Sequence, residues 1–171
     1  MQETLTAGDI VVRLAGVFGL VLLNGFFVAA EFALVGARRS KLTQMAEEGE
    51  RGARNALKAI AKLDRYISGT QLGITIATIT LGWIGEPALA VLVDRLLGLV
   101  GIAVPTGAAH TAAAITTAFI LITFLHIVLG ELAPKSMALV MPERVSTVIA
   151  LPLMLFSKLM SPFIAVLNGT A

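Results

Sequence analysis

The chain contains no cysteine and only two histidines, His110 and His126. Without cysteine there is no disulfide, thiolate metal site or thiol nucleophile, and iron–sulfur and c-type haem centres lose their usual ligands. Two histidines leave little material for a multi-histidine zinc site. The HExxH and GxSxG patterns of metalloproteases and serine hydrolases are also absent, which argues against an intramembrane enzyme. Charge is scarce: 14% of the 171 residues are Asp, Glu, Lys or Arg, against about 25% in an ordinary soluble domain. What fills the space is apolar: 57% of residues are hydrophobic and the mean hydropathy is +0.88. These values define an integral membrane protein of one domain. The net charge of +2 makes no case for nucleic acid as a partner.

The apolar residues fall into runs of membrane-crossing length, which is about 20 residues for a helix. The first covers 10–36 and holds Arg13, Asn24 and Glu31. It is too long for a signal-peptide core and reads as a retained helix. A second run covers 66–84 and a third 112–140. Between the first two lies different material. Residues 38–65 carry eight of the thirteen basic residues, interleaved with Glu47, Glu48, Glu50 and Asp64. Their apolar positions follow a helical period that Gly49 and Gly52 interrupt, so an amphipathic helical hairpin over 38–64 is expected. The positive-inside rule puts this hairpin in the cytoplasm and the N-terminus outside. Its interleaved acids and tether to the membrane speak against a DNA-binding helix-turn-helix; anionic lipid headgroups or a cytoplasmic domain suit it better. The stretch Gly82-Trp-Ile-Gly-Glu-Pro87 should end the second span, leaving a short interfacial helix over 87–100 and a loop at Gly101–Gly107. Residues 143–168 are apolar, but Pro152, Lys158 and Pro162 interrupt them. Short helices at the cytoplasmic interface are expected there in preference to a fourth span.

Near the end of the third run stands His126-Ile-Val-Leu-Gly-Glu-Leu-Ala-Pro-Lys135. An acid, a proline and a base at membrane depth are expensive and persist there as functional or paired groups. Pro134 has no N–H, so in an α-helix the carbonyl of Gly130 loses its partner beside the carboxylate of Glu131. A bare carbonyl next to a carboxylate supplies the oxygens that hard cations require.

Other polar residues in the spans admit two readings each. Asn24 offers a neutral oxygen or an interhelical hydrogen bond. Glu31, seven residues on, could handle an ion or pair with Lys135. Ser68, Gln71, Thr75 and Thr78 share one helix face; such hydroxyls either face a partner or bond back to their own helix. Gly69 and Gly73 have the spacing that lets helices approach closely in lipid. His126 reads as a polar residue satisfied within the bundle, and Lys135 as an end-of-helix residue outside the site.

Three stretches taken in order are similar to the membrane domain of the CorC and cyclin M (CNNM) magnesium transporters: Asn24-Gly-Phe-Phe-Val-Ala-Ala-Glu-Phe-Ala-Leu34, Ser68-Gly-Thr-Gln-Leu-Gly73 and Gly130-Glu-Leu-Ala-Pro-Lys135. The likeness extends over about residues 10–168. It implies an all-α fold of three transmembrane helices with a cytoplasmic juxtamembrane helical belt, assembled as a homodimer in the plasma membrane. It implies Mg2+ as the transported ion, bound at a broken helix, with export coupled to Na+ entry. Matched motif by motif, the metal ligands would be Asn24, Ser68, Gly69, Gly130 and Glu131. Position 28 is Val where relatives are expected to have Ser. Relatives continue into nucleotide-binding CBS domains, which these 171 residues do not contain. The competing expectation is a magnesium-sensing membrane module that signals to such domains without moving ions.

Overall fold

The computed structural model describes the backbone of residues 7–99 and 108–170, so the loop expected at Gly101–Gly107 lies outside the described residues. Among the described residues every regular element is helical: α1 (Ala7–Gly36), α2 (Arg39–Glu47), α3 (Arg51–Ile60), α4 (Leu63–Leu99), α5 (Ala108–Leu125), a π-helical segment (His126–Leu132), α6 (Ala133–Val140), α7 (Pro142–Leu159) and α8 (Ser161–Thr170). Among the described residues three stretches are long and apolar enough to cross a membrane, Val11–Gly36, Leu63–Gly85 and Phe119–Val140, close to the runs expected at 10–36, 66–84 and 112–140. The chain is an all-α, multi-pass membrane protein.

Helix α1 is the hub: α4, the π segment, α6 and α7 all pack on it. Its small residues Ala29, Ala30 and Ala33 are buried with Phe27 and Leu34 against Tyr66, Ala138, Val145, Ile149 and Leu153. Hydrocarbon gives apolar side chains little reason to leave it, so close packing of small residues holds such helices together. Gly73 shows this directly. The ring of Phe27 sits where a side chain would start, and a Cβ there would lie 2.5 Å from the ring. Phe27 in turn packs against Phe156 of α7, with ring centroids 4.7 Å apart.

The amphipathic hairpin forms as its glycines predict, with α2 and α3 in place of one helix. Gly49 adopts φ +99°, a conformation that costs a residue with a side chain dearly. Around it the N–H of Gly49 bonds to the Ala46 carbonyl and that of Glu50 to the Met45 carbonyl, the paired pattern that closes a helix C-terminus. The buried stripe Leu42, Met45, Ala53 and Ala56 then packs onto Ala150 of α7. Gly52 is the closest point of this contact: a Cβ there would meet the Thr147 carbonyl at 2.5 Å. At the edge of the hairpin, Arg38 Nε donates to Glu143 Oε1 at 2.9 Å, with the Arg38 side chain 76% exposed and that of Glu143 13% exposed. Glu143 also occupies the first turn of α7, where a negative charge favours the helix dipole.

One expectation needs correction. Helix α4 continues for 37 residues, from Leu63 to Leu99, so no separate helix begins at residue 87. Pro87 deletes a single backbone hydrogen bond, and membrane helices tolerate this where neighbours hold the surrounding turn. Here Ile122 of α5 closes onto Gly85, 3.0 Å from the position of a Cβ. The segment 143–168 is mostly one helix: α7 runs through Pro152 to Leu159, and α8 follows after a break at Met160. Neither is among the three stretches able to span by length and composition. Helix α7 carries three charges, Glu143, Arg144 and Lys158, and α8 has only 10 residues. Val145, Ser146, Ile149, Ala150, Leu153 and Ser157 are buried, while Val148, Leu151, Leu155 and Leu159 are exposed.

Gly52→Leu should lower the thermal unfolding midpoint in detergent by several degrees, since overpacking costs about 1–3 kcal/mol. Arg38→Ala should cost under about 1 kcal/mol, because the Arg38 side of the pair faces solvent. The Arg38 guanidinium holds the Glu143 carboxyl below the usual carboxylate range. Its stabilising contribution is therefore present above that range and lost as pH falls through the depressed value. Glu143→Gln should abolish that part of the acid sensitivity in unfolding scans from neutral to acidic pH.

Candidate functional site

The site grows out of one register fault. From Leu125 to Ala133 the backbone stays helical, with φ −61° at Leu125 and −66° at Ala133. Within it, however, the hydrogen bonds shift to a five-residue span, and the N–H of Ala133 bonds to the Val128 carbonyl. Wide turns of this kind are often found at functional positions. Pro134 explains why the shift is tolerated here. In α register its missing N–H belongs to the Gly130 carbonyl; in π register it belongs to the Leu129 carbonyl. Either way the proline leaves the break short of donors.

The neighbouring helix α1 receives both carbonyls. Asn24, 2% exposed, donates from Nδ2 to the Gly130 carbonyl at 2.9 Å. Its Oδ1 accepts a long hydrogen bond of 3.4 Å from the Thr78 hydroxyl of α4. One residue on, Gly25 lies against the break: a Cβ there would stand 2.9 Å from the Pro134 ring and 3.1 Å from the Leu129 carbonyl. Gly130 is equally confined, since its Cβ would lie 2.7 Å from the His126 ring. Asn24-Gly25 and Gly130 are thus a matched set, in which two glycines admit the contact and the amide satisfies it.

Beside this contact is a cavity of about 300 Å³ lined by Asn24, Val28, Glu31, Phe32, Ile74, Thr78, His126, Glu131 and Lys135. Its ionisable groups are two carboxylates, one ammonium and one imidazole. The Thr70 hydroxyl lies within hydrogen-bonding reach of Glu31. Lys135 Nζ lies over the Phe32 ring, 4.5 Å from its centroid, so among the described residues Glu31 and Lys135 do not form the ion pair considered from sequence. His126 Nε2 is buried and has no hydrogen-bond partner among the described residues. Among the described residues no three His, Asp or Glu side chains converge as a metal cage. A cation here would rely on carboxylates together with amide, hydroxyl and backbone oxygens.

Of the five metal ligands expected from sequence, Asn24 and Glu131 line the cavity, and Gly130 is tied to it through the Asn24 amide. Ser68 and Gly69 do not line the cavity. The Ser68 hydroxyl donates to the Asp64 carbonyl of its own helix at 2.9 Å. Gly69 faces α7, with the Ser157 Oγ 2.7 Å from where its Cβ would be. Thr75 likewise bonds back to the Gln71 carbonyl at 2.8 Å, leaving Thr78 as the hydroxyl of that face which reaches across to Asn24. Lys135, set aside from sequence, lines the cavity. The signal for it was present, because residues 131 and 135 are one turn apart on one helix face.

A three-span membrane domain with a polar cavity beside a broken helix is the class this fold defines. The chain belongs to the cyclin M transmembrane N-terminal domain family, whose model matches residues 15–171. Among similar proteins of Bacillus subtilis, the UPF0053 protein YugS is 44% identical over 95% of this chain and 37% of its own length. The UPF0053 protein YhdT is 47% identical over 89% of this chain and 32% of its own length. A Mycobacterium tuberculosis protein, Rv1841c, is 40% identical over 89% of this chain and 42% of its own length. The chain therefore spans about a third to two-fifths of these relatives.

Asn24→Leu should strip the Gly130 carbonyl of its donor and cost on the order of 1 kcal/mol, the scale of interhelical hydrogen bonds in membranes. Adding Pro134→Ala should return most of that loss, because residue 134 regains an N–H. Thermal unfolding of the two single variants and the double variant in detergent checks the coupling; strict additivity would contradict it.

Proposed function

We propose that this chain is the ion-conducting part of a divalent-cation transporter, with Mg2+ as its cargo. The observation that carries the reading is the Gly130 carbonyl of the broken helix, held at 2.9 Å by the amide of Asn24, a residue that lines the cavity together with Glu131 and Glu31. Magnesium takes about six oxygens in a rigid arrangement and sheds water reluctantly. Two carboxylates, the Asn24 carbonyl oxygen, the Thr78 hydroxyl and the Gly130 carbonyl make a donor set of the right hardness. With both carboxylates and Lys135 ionised, the wall carries one net negative charge, which favours a cation over an anion. Without an ion, the Asn24 amide occupies the Gly130 carbonyl. With one, the amide turns and both oxygens face the cation. The same set distinguishes occupied from empty, as alternating access requires.

The wider reading follows the family. The basic hairpin faces the cytoplasm by the positive-inside rule, the N-terminus lies outside the plasma membrane, and two copies form a homodimer. Na+ entry drives export, and CBS domains farther along the full-length protein regulate it.

Glu131→Ala should abolish Mg2+ binding in isothermal titration, since it removes the largest local charge; unchanged affinity would sink the assignment. Pro134→Ala should weaken binding while leaving the fold intact, because the new N–H lets the segment return to α register and claim the Gly130 carbonyl. Flux into liposomes by the full-length protein decides between transport and sensing: Mg2+ binding without flux would make the domain a sensor.

A further inference from the structure

The reverse side of the broken helix carries a second concave surface, unrelated to the cation cavity. It is an apolar groove of about 420 Å³ between α1, α6 and α7, whose walls include Gly25, Phe26, Leu129, Pro134, Met137 and Val148. Apart from residues of α7, these lie in two of the three membrane-spanning stretches, so hydrocarbon has direct access. One end of the groove is marked by a charge, because Arg144 lines it as well. Arg144 also lines a neighbouring polar pocket of about 330 Å³, together with Lys41, Glu48, Glu50 and Glu143. The two spaces therefore meet at Arg144.

The charges of that pocket are specific in their balance. Glu143 is already engaged by Arg38. This leaves two bases, Lys41 and Arg144, and two acids, Glu48 and Glu50. Lys41 Nζ contacts Gln44 Oε1 at 3.2 Å and Glu48 Oε1 accepts from Gln44 Nε2 at 2.8 Å. Both contacts are with a neutral amide, so among the described residues neither base is matched by an acid within ion-pair distance. A pocket offering two cations and two anions, opening onto an acyl-sized apolar groove, complements a molecule with a phosphate, an ammonium and a hydrocarbon tail.

The geometry points to a binding site for a phospholipid with a primary-amine zwitterionic headgroup. One acyl chain lies in the groove against Leu129 and Pro134. The phosphate is held by Arg144 and Lys41, and the ammonium by Glu48 and Glu50. An anionic lipid would satisfy the bases but would bring its charge up to two carboxylates. A quaternary ammonium would lose the N–H donors that those carboxylates accept. A water-soluble partner has no access to the groove, and a second copy of the chain would need to present both charge signs at one point.

The test is native mass spectrometry of the whole chain released from nanodiscs holding equal parts phosphatidylethanolamine, phosphatidylglycerol and phosphatidylcholine. The expected result is preferential retention of phosphatidylethanolamine. Arg144→Gln should reduce it by about fivefold, the factor carried by one charge near a membrane surface. Glu48→Gln with Glu50→Gln should switch the preference to phosphatidylglycerol. All three substitutions are on exposed side chains, and Arg13→Glu at the far end of α1 serves as a control that should change nothing. Retention blind to headgroup, or unaffected by these substitutions, would overturn the proposal. So would disulfide capture of a second copy through Val148→Cys, which would show the groove to be a subunit contact.

Discussion

The hydrogen bond from the Asn24 amide to the Gly130 carbonyl is the contact on which the rest of this structure turns. A carbonyl exposed in the bilayer has no water to satisfy it and costs several kcal/mol if left alone. Pro134 creates that liability, and the widened turn His126–Leu132 directs it toward α1. Everything nearby follows from the need to bring one amide to one oxygen. Gly25 must lack a side chain so that the proline ring and the Leu129 carbonyl can approach. Gly130 must lack one so that His126 can fold over it. Once α1 and the broken helix are held this close, the chain buries Val17 and Val21 against Leu81 above the contact. Below it, Ala29, Ala30 and Ala33 are buried with Ala138 and α7.

The same contact separates two environments. On one side are carboxylates, an imidazole and an ammonium. On the other is a surface with almost no polar atoms. Asn24 and Gly25 are adjacent in sequence, yet they face these opposite sides because successive helical residues are about 100° apart. A single dipeptide thus supplies the polar donor to the cavity and the clearance for the apolar groove. The break is accessible from both sides, and any change in the packing of one reaches the other through a residue or two.

Much of this was legible in the sequence, for identifiable reasons. Spans are set by apolar length, which the bilayer fixes. The hairpin was marked by Gly49, whose φ of +99° no ordinary residue adopts cheaply. The broken helix was marked by the chemistry of proline alone. Partner identity was harder to read. Ser68 and Thr78 look alike on a helical wheel, yet one bonds to its own backbone and the other reaches Asn24. The difference is where α1 crosses α4, which no local pattern encodes. Lys135 reads from sequence as a residue at a helix end, and its place over the Phe32 ring depends on a different helix that offers its aromatic face to the ammonium. The continuity of α4 past Pro87 was missed because local propensity was weighed without Ile122, which packs on Gly85 from a different helix.

That continuity has a mechanical side. At 1.5 Å per residue, 37 residues make a rod of about 55 Å, against a hydrocarbon thickness of about 30 Å. Nearly half its length must project beyond the apolar core or be absorbed by tilt. Its first turn adjoins α3 of the basic hairpin, and Thr78 stands near its middle. A rod of this length converts angle into distance: pivoting near its middle, it moves each end by about 0.5 Å per degree of tilt, and by ångströms over a few degrees. Small rearrangements of the hairpin on one side of the bilayer therefore become ångström-scale movements on the opposite side, with the polar cavity close to the fulcrum.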